Sequence, residues 1–294
     1  MPESVLAEPP GAAVRMMVAG QFPAWEMFSV DRVASTGTDN YLYRLGETLA
    51  VRIPKHQKAE RFLLREAEWL PQFSELALPV AAPVAVGSPC EGTLWHWGVS
   101  LWIDGQTVDA GAFSEMDGAA AQLAGFLKSL RAQDVGNALL AGPDNEFRGG
   151  ALAQWRQRTL QALDTVSDEV DQAGAAAVFD RAVTAGAAPE VRWIHGDLHP
   201  GNLVVTNDRL AGVIDFGLMA VGDPACDVKA AWWCFAPDGR EAFRKAMDID
   251  EAEWDRARGW ALCTALIALA FYRGRNEPLA DMCRFAVKQV LSGV

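Results

Sequence analysis

The chain has 294 residues, half of them apolar and 22% charged, with a formal net charge of −12. This is globular composition, long enough to bury its apolar surface without covalent staples, and its acidity argues against a nucleic-acid partner because no basic patch meets a phosphate backbone. The five cysteines are odd in number and widely spaced, with no C-x-x-C, so neither a disulfide framework nor a thiolate zinc site is expected and a reducing cytoplasm fits.

The opening MPESVLAEPP lacks the basic and apolar regions of a signal peptide. Residues up to about 105 read mostly as strand. SVDRVA (Ser29 to Ala34) leads into the turn-rich STGTDN (Ser35 to Asn40). YLYRL and LAVRI then flank Gly46-Glu47-Thr48 as a hairpin. One helix interrupts, from about Lys58 to Leu70, and stops at Pro71. A strand is expected around Pro83 to Val86, and a Trp-rich one from Leu94 to Ile103. The rest is mainly helical. Ser114 is the expected N-cap of the first helix, with Asp117 three residues on. Further helices are expected over about 150–165, 169–184, 224–234, 239–247 and 251–272. The apolar run Trp260 to Tyr272 is too short to span a bilayer and reads as a core helix, so no membrane partner is expected. Val191 to Asp215 breaks into short strands and loops. Two domains follow, 1–103 and 104–294, as a monomer or homodimer.

The stretch WIHGDLHPGN (Trp193 to Asn202) allows two chemistries. His195, Asp197 and His199 could ligate zinc, which takes about three protein ligands. That reading leaves Pro200, Gly201, Asn202 and the following LVVTNDRLAGVIDFG without a role. In the second reading a hairpin folds about Asn207-Asp208 and sets Asn202 opposite Asp215. An amide oxygen and a carboxylate suit Mg²⁺, not zinc. Phosphoryl transfer asks for this same set: an aspartate near the acceptor hydroxyl, an asparagine five residues on, and D-F-G. Asp197, Asn202 and Asp215-Phe216-Gly217 supply it.

The nucleotide needs a cation on its phosphates, steadied by a helix glutamate. Arg52 lies on the strand face opposite Leu49, Val51 and Ile53. Glu66 falls on the apolar face of its helix, where a carboxylate is costly unless it meets a cation, and Arg52 is the candidate. Thr36, Thr38 and Asn40 could approach phosphates from a loop that is otherwise an ordinary turn. The base is expected beneath Ser100, Trp102 and Ile103, with ATP or GTP as donor.

On TGTDNYLYRLG, AVRIP, REAEWLP, the Trp95–Gly105 segment, DNEFRGG, WIHGDLHPGNLVV, VIDFG and GDPACDVKAAW, running from about residue 20 to 235, the chain resembles the aminoglycoside phosphotransferase family. The resemblance implies an α+β, two-lobed protein-kinase-like fold, with a β-rich first lobe and a mainly helical second. It places the catalytic base on Asp197, the magnesium ligands on Asn202 and Asp215, and the phosphate-contacting cation on Arg52, where many members carry lysine. Its helix glutamate falls on Glu66, and Asp223 falls on a position that braces the catalytic loop. Asp227 reads as a first-turn acid. Expected acceptor walls include His199, Asn145, Arg148, Trp232, Trp233 and the segment from Asp238 to Arg258, with seven acids. The implied activity is transfer of a γ-phosphate to a hydroxyl of an aminoglycoside- or macrolide-type antibiotic. A metabolic kinase of a sugar, amino alcohol or homoserine-like substrate is the alternative within the same chemistry, and a nucleotide-binding pseudokinase the one outside it.

Overall fold

The computed structural model describes residues 7–34, 37–116 and 118–292. Ser35 and Thr36 of the STGTDN loop, and Asp117, lie outside them. The chain divides into two compact units. The first comprises the chain through Ser74, Pro79–Asp104 and Ile214–Gly217; the second comprises Glu75–Leu78, Gly105–Val213 and the chain from Leu218 onward.

The first unit is built on an antiparallel sheet of β1 (Val30–Val33), β2 (Asn40–Leu45), β3 (Leu49–Pro54), β4 (Pro83–Gly87) and β5 (Trp97–Leu101), in the order β1-β2-β3-β5-β4. Leu45 sits opposite Leu49 across the expected hairpin. The Trp-rich strand is shorter than its pattern, because only Trp97–Leu101 finds partners. Leu49, Val51 and Ile53 pack with Tyr43, Trp97 and Val99 against Val14, Met17 and Val18. Those three belong to α1 (Gly11–Gln21), a helix that hydropathy does not announce. Its stability comes from docking on the sheet, as is usual for a helix this short. The other sheet face carries α2 (Gln57–Trp69), whose N-terminus is capped by His56: its Nδ1 accepts the Ala59 N–H at 3.2 Å. Pro71 converts its end to a 3₁₀ turn, Leu70–Gln72.

The second unit holds α3 (Ala119–Arg131), α4 (Arg156–Thr165), α5 (Gln172–Thr184), α6 (Ala225–Val228), α7 (Ala230–Cys234), α8 (Pro237–Met247), α9 (Glu251–Tyr272) and α10 (Glu277–Leu291). Two small antiparallel ladders pair β6 (Arg192–Ile194) with β9 (Ala220–Gly222) and β7 (Leu203–Thr206) with β8 (Arg209–Val213). The expected helix over 224–234 is two short helices. α9 is the buried centre, with Trp260, Leu262, Cys263, Leu266 and Leu269 sealed from solvent. No helix among the described residues is long and apolar enough to cross a membrane.

Two expectations are corrected here. Ser114 does not cap α3: it lies in a 3₁₀ turn, Ala110–Glu115, and the helix starts after Gly118, whose φ of 75° breaks the run. The hairpin also pairs one residue earlier than expected, Leu203 with Val213, so the register points from Asn202 to Ile214 rather than Asp215. An irregularity at Val204/Val205 absorbs the turn.

Candidate active site

In the first unit, Arg52 leaves β3 on the α2 side, opposite the Leu49, Val51 and Ile53 face. Its guanidinium meets Glu66 with both terminal nitrogens, Nη1 on Oε2 and Nη2 on Oε1, the latter at 3.3 Å. Glu66 is 2% exposed. Burial alone would lower the Arg52 pKa, but Glu66 and then Asp215 outweigh it and hold the guanidinium charged. Asp215 Oδ1 stands 3.9 Å from Arg52 Nη2. The Asp215 backbone is left-handed, φ 65°, and its side chain is 45% exposed. Phe216 behind it is buried. Arg65 donates to the Gly217 carbonyl at 2.8 Å, and a Cβ on Gly217 would stand 2.6 Å from Phe62 Cβ. The D-F-G turn is thus locked to α2 by a contact only glycine permits.

The remaining nucleotide-side candidates differ in what they offer. Thr38 is exposed and donates to Asp39 Oδ1 at 3.0 Å. Asn40 Oδ1 is buried without a hydrogen bond among the described residues. Ser100 is buried in β5, and the Trp102 amide is spent on Thr48 O at 2.8 Å. The Ile103 amide has no such partner among the described residues, so Ile103 is the one of these three able to offer its N–H to a base.

In the second unit, β6 delivers His195 and Gly196 into the loop that carries Asp197. Asp227 of α6 accepts the His195 N–H at 2.6 Å and the Gly196 N–H at 2.9 Å. His195 is fully buried, and its Nδ1 accepts the Asp197 N–H at 3.2 Å. Gly196 has φ 81°, and a Cβ there would meet Leu218 O at 2.3 Å, so the bend demands glycine. Bracing therefore falls to Asp227, not Asp223. Asp223 pairs instead with the buried Arg256 at 2.9 Å and accepts the Ala225 N–H at 3.0 Å. Burial raises the Asp227 pKa, and the two backbone donors oppose that shift.

Asn202 Nδ2 donates to the Asp197 carbonyl at 2.9 Å and lies 3.2 Å from His199 Nε2. With Nδ2 engaged in this way, Asn202 Oδ1 makes no hydrogen bond among the described residues. His199 Nδ1 accepts the Gly201 N–H at 3.1 Å. Among the described residues no three His, Cys, Asp or Glu side chains are grouped to hold a metal ion, which gives the zinc reading no ligand set. Asn202 in the second unit and Asp215 in the first each offer a hard oxygen donor of the kind Mg²⁺ takes.

Three cationic or ionisable groups face the Asp197 carboxylate: Arg148 Nη2 at 3.7 Å and Lys229 Nζ at 3.9 Å from Oδ1, and His199 Nε2 at 3.7 Å from Oδ2. Burial would raise the Asp197 pKa, but these groups outweigh it and hold the carboxyl below the usual range. Burial pushes His199 down from 6.5 to about 4, so it is neutral at pH 7. Between those values the unfolded chain binds the proton first, so stability is full above about 6.5 and is lost as pH falls toward 4. The loss is at most about 3 kcal/mol. Thermal midpoints between pH 7 and 4.5 should drop less steeply in His199→Gln, and equal slopes would acquit His199.

The acceptor-wall expectations change most. Asn145 is fully buried: Oδ1 accepts the Gly142 N–H at 2.9 Å, and Nδ2 donates to the Arg148 carbonyl at 2.8 Å and the Leu218 carbonyl at 3.3 Å. It holds a loop and presents nothing to a ligand. Trp232 and Trp233 are buried too, Trp232 with its ring tilted against Trp254 at 4.4 Å. Arg148 belongs beside Asp197. Sequence reasoning missed Lys229 altogether; the only signal was a lysine inside the apolar run VKAAWWCF.

A sheet with a strand arginine fixed by a helix glutamate, and a helical unit carrying the H-x-D loop, define the α+β fold of small-molecule kinases. Its likeness to solved structures shows this fold. The GDP and kanamycin complex of APH(2")-IIia gives a TM-score of 0.72 at 20% identity, over 95% of this chain and 98% of that one. The apo form of a thermostable mutant of aminoglycoside phosphotransferase APH(4)-Ia gives 0.63 at 16%, over 95% and 100%. The chain belongs to the phosphotransferase enzyme family, which it matches over residues 32–260. It is 33% identical over 113 residues to the homoserine kinase of Xanthobacter autotrophicus (strain ATCC BAA-1158 / Py2), covering 34% of each chain. It is 36% identical over 90 residues to that of Granulibacter bethesdensis (strain ATCC BAA-1260 / CGDNIH1), covering 30% of this chain and 27% of that one. The matches thus span about a third of the curated relatives or less.

Proposed function

We propose that this protein transfers the γ-phosphoryl group of ATP or GTP to the hydroxyl of a small metabolite. The observation that carries the reading is the geometry around the half-buried Asp197: a carboxylate kept ionised by its neighbours, on a loop braced through Asp227. Asp197 orients the acceptor hydroxyl and takes its proton. A low pKa makes it a weak base, which suffices where the transition state is loose and the proton moves late. Arg52, held by Glu66, positions the triphosphate from the first unit, and the Ile103 amide meets the base. Asn202 and Asp215 are the residues that would hold Mg²⁺, which supplies charge neutralisation on the phosphates. Most of the acceleration is placement and electrostatics.

For the acceptor, we favour a small homoserine-like molecule over an aminoglycoside. A polyamine sugar wants unpaired acids, and four of the seven in the Asp238–Arg258 segment are engaged. Glu251 pairs with Arg244, Glu253 with Arg131 at 2.7 Å and Asp255 with Arg181 at 2.9 Å, while Asp250 caps α9. The two homoserine kinase matches support the same side. The test is phosphorus NMR of products with Mg²⁺ and ATP or GTP, offering L-homoserine, short amino alcohols, sugars, kanamycin and a macrolide. Product on a short hydroxyl compound is expected. Preferential transfer to kanamycin or the macrolide would restore the antibiotic reading, and tight nucleotide binding without any product would make this a pseudokinase.

A further inference from the structure

Lys229 has no place in the phosphoryl-transfer template, yet it sits at the reacting carboxylate. It is 1% exposed, at the junction of α6 and α7. A buried ammonium costs several kcal/mol unless well paired. Its Nζ nevertheless makes no hydrogen bond among the described residues. It has the Trp233 ring at 5.1 Å and Asp197 Oδ1 at 3.9 Å.

Arg148 repeats the pattern. Its Nε and Nη1 are buried without hydrogen-bond partners, its guanidinium lies 5.2 Å over Trp155, and Nη2 stands 3.7 Å from the same Oδ1. The loop that brings it there is costly as well: Glu146 and Phe147 are consecutive non-glycine residues at φ 57° and 60°. Asn145 pins that loop from inside. On the other side, His199 faces Oδ2, with its ring 5.9 Å from Trp233. Trp233 thus stands beneath the two groups that flank the carboxylate. Two buried cations converge on one oxygen, and neither is near enough to donate a hydrogen bond to it. An apolar side chain of similar volume at residue 229 would serve stability as well or better.

We propose that Lys229 is a positioning residue for the catalytic base. Together with Arg148 it holds Asp197 Oδ1 by charge across a short gap, which sets the carboxylate's rotation and leaves Oδ2 for the acceptor hydroxyl. Because no proton is shared with Oδ1, the carboxylate keeps its capacity to accept one. The assignment rests on the phosphotransferase reading.

The test uses the full chain with Lys229→Met and Lys229→Arg. The readouts are thermal midpoint, nucleotide KM, and Mg²⁺-dependent transfer from ATP or GTP both to water and to the best acceptor of the NMR panel. In Lys229→Met, kcat should fall about 10- to 100-fold, the scale of a misplaced catalytic group, while nucleotide KM stays within about threefold. Its thermal midpoint should hold or rise, since a buried charge has gone. Lys229→Arg should recover most of kcat, because the charge returns. A purely structural lysine would show the reverse, a lower midpoint with unchanged kcat, and that result overturns the assignment. So does a Lys229→Met kcat within about twofold of wild type, read against the same scale. A wild-type protein that transfers to neither water nor any acceptor fails at the earlier step, and takes the phosphotransferase reading down with it.

Discussion

Asp197→Asn should cut phosphoryl transfer by about 10²- to 10⁴-fold, the usual contribution of a positioned base. The amide keeps the size of the carboxylate, so the loop has no steric reason to move. It loses the proton acceptor and the negative charge that faces Arg148 and Lys229. Nucleotide affinity should survive, because the residues proposed to bind nucleotide, Arg52 and Glu66, belong to the other unit. Single-turnover transfer beside calorimetric titration of the nucleotide separates the two effects. A variant that binds nucleotide normally and transfers within about threefold of wild type would strip Asp197 of its role, since that is far below the contribution of a base.

Arg52→Met should be the most damaging single change in the first unit. Glu66 would then be a buried carboxylate without its cation, and breaking such a pair from one side costs about 3–5 kcal/mol. Denaturant unfolding should show that loss. The double variant Arg52→Met, Glu66→Met should recover most of the stability, because two well-packed apolar side chains replace a desolvated pair at little net cost. Nucleotide binding should stay lost in both, since neither offers a cation to the phosphates. Arg52→Lys should hold stability only in part. One ammonium does not reproduce the two-nitrogen contact with Oε1 and Oε2. If the double variant were as unstable as the single one, the pair would not be the source of the loss.

Much of this protein was legible in one dimension, and the reasons are local. The alternation in LAVRIP puts Arg52 on the face away from Leu49, Val51 and Ile53, and the helical period puts Glu66 on the buried side of α2. The pair follows because a carboxylate on an apolar face needs a cation. Asp197 and Asn202 share one short loop, so their spacing carries their relation: the Asn202 amide closes back on the Asp197 carbonyl. What escaped depended on residues far apart in the chain. Asp227 meets the loop across about thirty residues, and a first-turn acid looks the same in sequence whether it faces water or two backbone amides. Asn145 and Arg148 were both legible as polar residues in a loop; only packing turned one inward to pin backbone and the other toward Asp197. α1 has too weak a pattern to declare itself, and it exists because a sheet face needed covering. The sequence by itself determined which chemistry the chain can perform, since spacing and period act over a few residues. Tertiary structure alone decided which charges surround the Asp197 carboxylate, because burial and electrostatic attraction act through space and leave no period in the chain.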